Sequence, residues 1–210
     1  MPSTPKARFE DAEKHISKVD PVMKRWIAAT GHCTLQPNTD AFFVLCDSII
    51  SQQLSVKASG TILKRFCALF PNDIPTPELV EKLEDEKIRA IGCSQAKARY
   101  LKDLAAKFLD GTLKPKQFSR LDDETLIKTL TQVKGIGRWT AEMYLIFSLN
   151  RLDVLAVDDL GLRKGMKILY GLSTMPTPKE MTDIAEAWKP YRSIGSWYLW
   201  KSVDTEPNRW

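Results

Sequence analysis

Histidine is almost missing from this chain of 210 residues: His15 and His32 are the only two, both near the N-terminus. Metal sites built on imidazole and a Ser-His-Asp relay are therefore poorly supported. The four cysteines, Cys33, Cys46, Cys67 and Cys93, lie far apart, with no C-x-x-C pair and none in the last half of the chain. That spacing argues against zinc ribbons and thiolate-held iron–sulfur clusters, and it fits free, mostly buried thiols in a reducing cytoplasm. No apolar run is long enough to span a bilayer, and the opening Met-Pro-Ser-Thr-Pro-Lys-Ala-Arg has no apolar signal core. The strict alternation of half-buried strands is missing too. No metal, cofactor or membrane partner is expected.

What is present is a composition of 43% hydrophobic and 27% charged residues, suited to one compact unit or two small lobes sharing a core. Net charge is +5, and the excess sits in residues 51–140, which hold 16 Lys plus Arg against 11 Asp plus Glu. This balance permits a nucleic-acid or acidic-surface partner without demanding one, since solvated Lys-rich helix faces give the same count.

Helical periodicity runs through the chain, which reads as all-α. Asp40 stands as an N-cap before the apolar positions Phe42, Phe43, Cys46, Ile49 and Ile50. Gln52-Gln53-Leu54-Ser55 breaks that pattern, which resumes from Val56 to Phe70 and ends at Pro71-Asn72-Asp73. Thr76-Pro77, Ser94, Asp122 and Thr177-Pro178 mark further helix starts, while Gly92 and Asp110-Gly111 mark stops. Leu152–Val157 is the one apolar run of strand-like length, and a buried extended link reads equally well. Residues 1–7 read as a loose tail.

Two local features carry chemistry. In Val133-Lys134-Gly135-Ile136-Gly137-Arg138 two glycines let the backbone turn tightly where a helix begins, leaving amides and the helix dipole available to a phosphate oxygen. Lys134 and Arg138 would add counter-charge, although an ordinary Gly-rich helix connection has the same residues. Asp158-Asp159 follows an apolar run and precedes an apolar helix, as a plain helix cap would. A carboxylate at a helix N-terminus in apolar surroundings can also stabilise positive charge developing on a sugar.

Taken in order, the hairpin, the following Trp139-Thr140-Ala141 and Asp159 in Ala156-Val157-Asp158-Asp159-Leu160 resemble the helix-hairpin-helix DNA glycosylase superfamily, in its 3-methyladenine DNA glycosylase II branch. Ile49–Ser55, Ile91–Leu101 and Trp188–Ser193 resemble further segments of that family, so the likeness spans about Asp40 to Lys201. It implies two helical lobes, residues 1–38 with 150–210 and residues 39–149, with the helix-hairpin-helix at 133–138 and a DNA- and base-binding cleft between the lobes. It also implies a monomer that acts on damaged double-stranded DNA by flipping out a base, in the cytoplasm at the nucleoid of a bacterium or in the nucleus of a eukaryote.

By position, the resemblance makes Asp159 the catalytic acid, with Asp158 as a possible second one. Lys134, Gly135, Ile136, Gly137, Arg138 and Thr140 fall on the DNA-backbone contact, and Trp139, Met143 and Trp200 on the base pocket. Gln52, Gln53 and Leu54 form the probing loop, with Gln53 or Leu54 as the wedge. Trp139 occupies the place where strand-cutting relatives carry a Schiff-base lysine, which implies a monofunctional enzyme. The chain resembles the compact members, which lack an additional β-rich domain. Rival readings are a non-catalytic helix-hairpin-helix DNA-binding module, a glycosylase of the same fold for another damaged base, and a helical interaction scaffold.

Overall fold

The computed structural model describes the backbone of residues 5–203 and the side chains from Phe9 onward. Among the described residues there are thirteen α-helices and no strand. They are α1 (Pro5–Val19), α2 (Pro21–Thr30), α3 (Ala41–Ser51), α4 (Val56–Cys67), α5 (Pro77–Lys82), α6 (Asp85–Ala90), α7 (Gln95–Leu109), α8 (Pro115–Phe118), α9 (Asp123–Leu130), α10 (Arg138–Phe147), α11 (Leu160–Leu169), α12 (Pro178–Ala185) and α13 (Arg192–Lys201). Two compact units result, one from the chain up to Pro37 together with the chain from Leu145 onward, the other from Asn38–Tyr144.

The helix starts follow from short polar side chains that satisfy first-turn amides. Asp40, Ser55, Thr76, Ser94, Asp122 and Thr177 each accept a backbone N–H three residues on. Thr177 and Glu180 close a reciprocal capping box. The loose tail expected over residues 1–7 is corrected: α1 begins at Pro5, whose fixed φ suits the first helical position, while residues 1–4 lie outside the described residues.

In the Asn38–Tyr144 unit, α3 is the most buried element up to the hairpin. Phe42, Val44, Leu45, Cys46, Ile49 and Ile50 are all buried along it, and α7 brings Ala98, Leu101, Leu104 and Ala105. From Thr140 onward α10 is buried on every side, so it behaves as a central helix with no solvent face.

In the other unit, Asp20 is the polar staple. It is 8% exposed. Its Oδ1 accepts the Val22 and Met23 amides at 2.9 and 3.0 Å, and its Oδ2 accepts the Trp188 indole N–H at 2.9 Å and the Tyr170 hydroxyl. Burial, and then the bond to Asp20, push the Tyr170 phenol well above its usual range. One carboxylate thus ties the α1–α2 corner to the residues that follow α11 and α12.

Leu152–Val157 forms no strand. Its polar groups are taken by the start of α13: the Ser193 amide donates to Leu152 O at 2.9 Å, the Val154 amide to Ser193 Oγ at 2.9 Å, and Arg192 grips both oxygens of Asp153. The run is a pinned extended link that delivers the chain to Asp159.

Three thiols, Cys33, Cys46 and Cys93, are buried and Cys67 is half-buried; all four are free. Burial pushes the Cys33 thiol up to about 12 and raises the other three.

Replacing Asp20 by Asn puts an amide where the Trp188 and Tyr170 donors need an acceptor. A loss on the order of 3 kcal/mol is expected, read as a lower denaturation midpoint at unchanged slope.

Candidate functional site

The hairpin is Val133–Gly137, between α9 and α10. Val133 and Ile136 are 1% and 4% exposed and anchor the turn in the core. Gly135 has φ 85°, and a Cβ there would lie 2.2 Å from the Tyr100 ring, so both backbone and space demand glycine. A Cβ on Gly137 would meet nothing within 4 Å. The amides of the first turn of α10 follow directly and have no partner inside the helix.

A row on α7 holds this turn in place. Asp103 accepts the Lys134 amide at 2.9 Å, Tyr100 lies under Gly135, and Lys97 donates to the Ile50 and Gln52 carbonyls, each at 2.8 Å. Desolvation lowers the Lys97 ammonium from its ordinary value. Gln52 closes the set, its amide Nε2 donating to Gly135 O at 2.7 Å. The loop after α3 and the hairpin are therefore fixed to each other. Gln52 is a strut, and Gln53, at φ 58°, and Leu54 are the exposed residues at the tip.

Several expected DNA-contact side chains are otherwise engaged. Arg138 pairs through both terminal nitrogens with Glu124 and through Nε with Glu142 at 3.0 Å, so its charge is compensated by two carboxylates. Lys134 stays exposed, its ammonium 3.7 Å from Asp103. The Thr140 side chain is buried at 5% exposure, which leaves its first-turn amide as the polar group it can offer outward. Met143 is buried, at 1% exposure, on the same helix. Trp139, 37% exposed, lies at the start of that helix.

The acid lies in the other unit. Asp159 caps α11 and is 8% exposed. Its Oδ1 accepts the Leu162 amide at 2.7 Å and the Trp200 indole N–H at 2.9 Å. Trp200 is 3% exposed and packs on Phe147, with ring centroids 5.4 Å apart. The helix N-terminus and two N–H groups thus converge on one carboxylate oxygen and stabilise negative charge there. Asp158, one residue earlier, is exposed and makes no side-chain hydrogen bond among the described residues. Helix α13 comes this near through glycine: a Cβ on Gly165 would lie 2.4 Å from Leu199 O, and one on Gly161 would lie 2.9 Å from Trp200 Cδ1 and 3.1 Å from Asp159 Oδ1.

Sequence reasoning missed the α7 row and the glycine pair. Their signals were the spacing of three in Lys97, Tyr100 and Asp103 and the spacing of four in Gly161 and Gly165, both of which select one helix face. Among the described residues no cluster of His, Cys, Asp or Glu suits a metal ion, and no helix is long and apolar enough to cross a membrane.

A glycine turn that offers helix N-terminal amides, joined to a helical fold with a capped, buried carboxylate, defines a helix-hairpin-helix protein. The chain belongs to the HhH-GPD superfamily of base excision DNA repair proteins, whose family model matches residues 46–190. It is 40% identical over 198 residues to DNA-3-methyladenine glycosylase 1 of Schizosaccharomyces pombe, covering 91% of this chain and 86% of that protein. Its fold matches the solved structure of a 3-methyladenine DNA glycosylase from the same yeast in complex with abasic DNA, at TM-score 0.81 and 39% identity, over 91% of this chain and 95% of that one. The DNA-3-methyladenine glycosidase of Bacillus halodurans superposes at TM-score 0.84 and 35% identity, over 97% of this chain and 91% of that one.

The two hairpin glycines separate stability from contact. Gly135→Ala forces a left-handed alanine into the Tyr100 ring and is expected to cost about 2 kcal/mol, a fall of roughly 5 °C in melting temperature. Gly137→Ala should melt like the native protein yet bind duplex DNA at least about tenfold more weakly, because its new methyl meets only an incoming phosphate. Equal DNA affinity of native and Gly137→Ala proteins in an anisotropy titration would remove the hairpin from the interface.

Proposed function

We propose that this protein is a monofunctional DNA glycosylase that hydrolyses the N-glycosidic bond of alkylated purines, of the 3-methyladenine and 7-methylguanine class, in duplex DNA and leaves an abasic site. The observation that carries it is the Asp159 carboxylate, buried at a helix N-terminus and oriented by the Trp200 indole at 2.9 Å. The names of the relatives at 35–40% identity support the substrate class.

The chemistry asks little of the protein beyond placing that charge. An alkylated purine is already cationic, so its glycosidic bond breaks with the electron pair going to the base, which leaves neutral and needs no added proton. Positive charge then develops on the deoxyribose, and the Asp159 carboxylate stabilises it. A water oxygen bonds to C1′ and releases one proton to solvent, completing the hydrolysis. The target base leaves the stack to reach the acid, and the tip of the probing loop at Gln53 and Leu54 enters the space it vacates. An aromatic ring such as that of Trp139 favours a cationic base over a neutral one by roughly 0.5–2 kcal/mol where the two stack. With Trp139 where a Schiff-base lysine would stand, no covalent enzyme–sugar adduct forms and the strand remains intact.

Native protein is expected to release free methylpurine from methylated duplex, with strand breaks appearing only after alkali. Asp159→Asn should slow release about 10²–10³-fold, and Asp158→Asn only a few-fold. Breaks before alkali would contradict the monofunctional assignment, and full release by Asp159→Asn would remove the acid from the mechanism.

Gly161→Ala tests the setting of the acid without altering its chemistry. Its Cβ would crowd both the Trp200 indole and the Asp159 carboxylate, so single-turnover release should fall about tenfold or more, while affinity for an abasic-analogue duplex stays within about twofold of native. Unchanged release would show that this packing does not position Asp159.

A further inference from the structure

Helix α4 carries a basic surface that takes no part in the hairpin or in the surroundings of Asp159. This helix starts directly after the probing loop, capped by Ser55, and carries Lys57, Lys64 and Arg65 with no acidic residue. Lys57, Thr61 and Arg65 follow one another at intervals of four, so they lie on one face spanning about 12 Å. All three are exposed. With Ser55, Ala58 and Ile62 they line an open groove of 410 Å³ that contains no carboxylate. Neither cation makes an ion pair among the described residues, in contrast to Arg138 and Lys134 of the hairpin. Beside the groove, the end of the same segment presents two apolar side chains to solvent, Leu54 at 38% and Val56 at 58% exposure.

We propose that this face of α4 is a second DNA-backbone contact, in which Lys57 and Arg65 hold the phosphodiester chain flanking the base step that Leu54 and Val56 press into. Cations with no carboxylate beside them match phosphate oxygens. An apolar tip set next to cations is the composition of surfaces that enter a groove and wedge a base step, where the cations keep the bent backbone against the protein. A DNA duplex therefore fits this surface better than an acidic peptide, which has no stack for the tip to enter. The loop is fastened to the hairpin through Gln52 and Lys97, so within this unit the two backbone contacts sit on one braced frame. This contact rests on the repair reading above and adds to it a grip that does not pass through the hairpin.

Counterion release makes the test quantitative. Each phosphate neutralised contributes about 0.9 to the slope of log affinity against log salt. Binding of an abasic-analogue duplex is measured by anisotropy across a salt series for native protein, for Lys57→Gln/Arg65→Gln, and for Lys116→Gln/Arg120→Gln, which removes the same charge from exposed positions on and after α8. The α4 double variant is expected to show a slope shallower by about 2 and at least about tenfold weaker binding at low salt, while the α8 control keeps the native slope. A native slope in the α4 variant, or an equal loss in the control, overturns the contact and leaves the glycosylase reading standing if native protein still releases methylpurine. Native protein that neither binds the duplex nor releases the base would defeat both.

Discussion

How closely α13 can approach α11 is decided at Gly165, where no side chain separates that helix from the Leu199 carbonyl. The next residue along α13 is Trp200, and this approach puts its indole N–H on Asp159. A carboxylate taken out of water is unfavourable unless donors replace the solvent it loses. Here the donors are a first-turn amide and an indole carried by a helix whose approach is fixed by glycine. Upstream, the grip of Arg192 on Asp153 and the bonds of Ser193 to the extended link hold the other side of the same residue. The acid is thus set from both directions by α13, which supplies neither the acid nor its cap.

The second unit solves a similar problem with one row of side chains. A glycine turn is flexible by nature, and an exposed loop tip even more so. Lys97, Tyr100 and Asp103 project from one side of α7 and fasten both, with Gln52 bridging them. Loss of freedom in the free protein is loss that need not be incurred when DNA arrives, so affinity is gained by preorganisation rather than by added contacts.

What was legible in the sequence was local. Caps such as Asp40, Ser55, Ser94 and Thr177 act within one turn, so their residue types alone located the helix starts. The hairpin glycines and the Asp158-Asp159 pair were equally visible, because turn geometry and helix capping need no distant partner. What stayed hidden depends on residues far apart in the chain. Trp200 meets Asp159 across 41 positions, and Arg138 meets Glu124 across 14. Burial is hidden in the same way: a position in a motif does not show that the Thr140 and Met143 side chains are enclosed on α10. The two neighbouring acids had equal claims by composition as helix caps, and burial separates them.

The state of the cysteines bears on the conditions under which such an enzyme must work. Agents that methylate purines also methylate proteins, and thiolates are the first protein groups they consume. A cell under alkylating attack therefore endangers its repair proteins at the moment their substrates appear. In this chain Cys33, Cys46 and Cys93 are enclosed, and their low dielectric surroundings keep the sulfur protonated and weakly nucleophilic; the half-buried Cys67 is shifted the same way. The packing that closes the hydrophobic core thereby also lowers the share of these thiols present as the reactive thiolate.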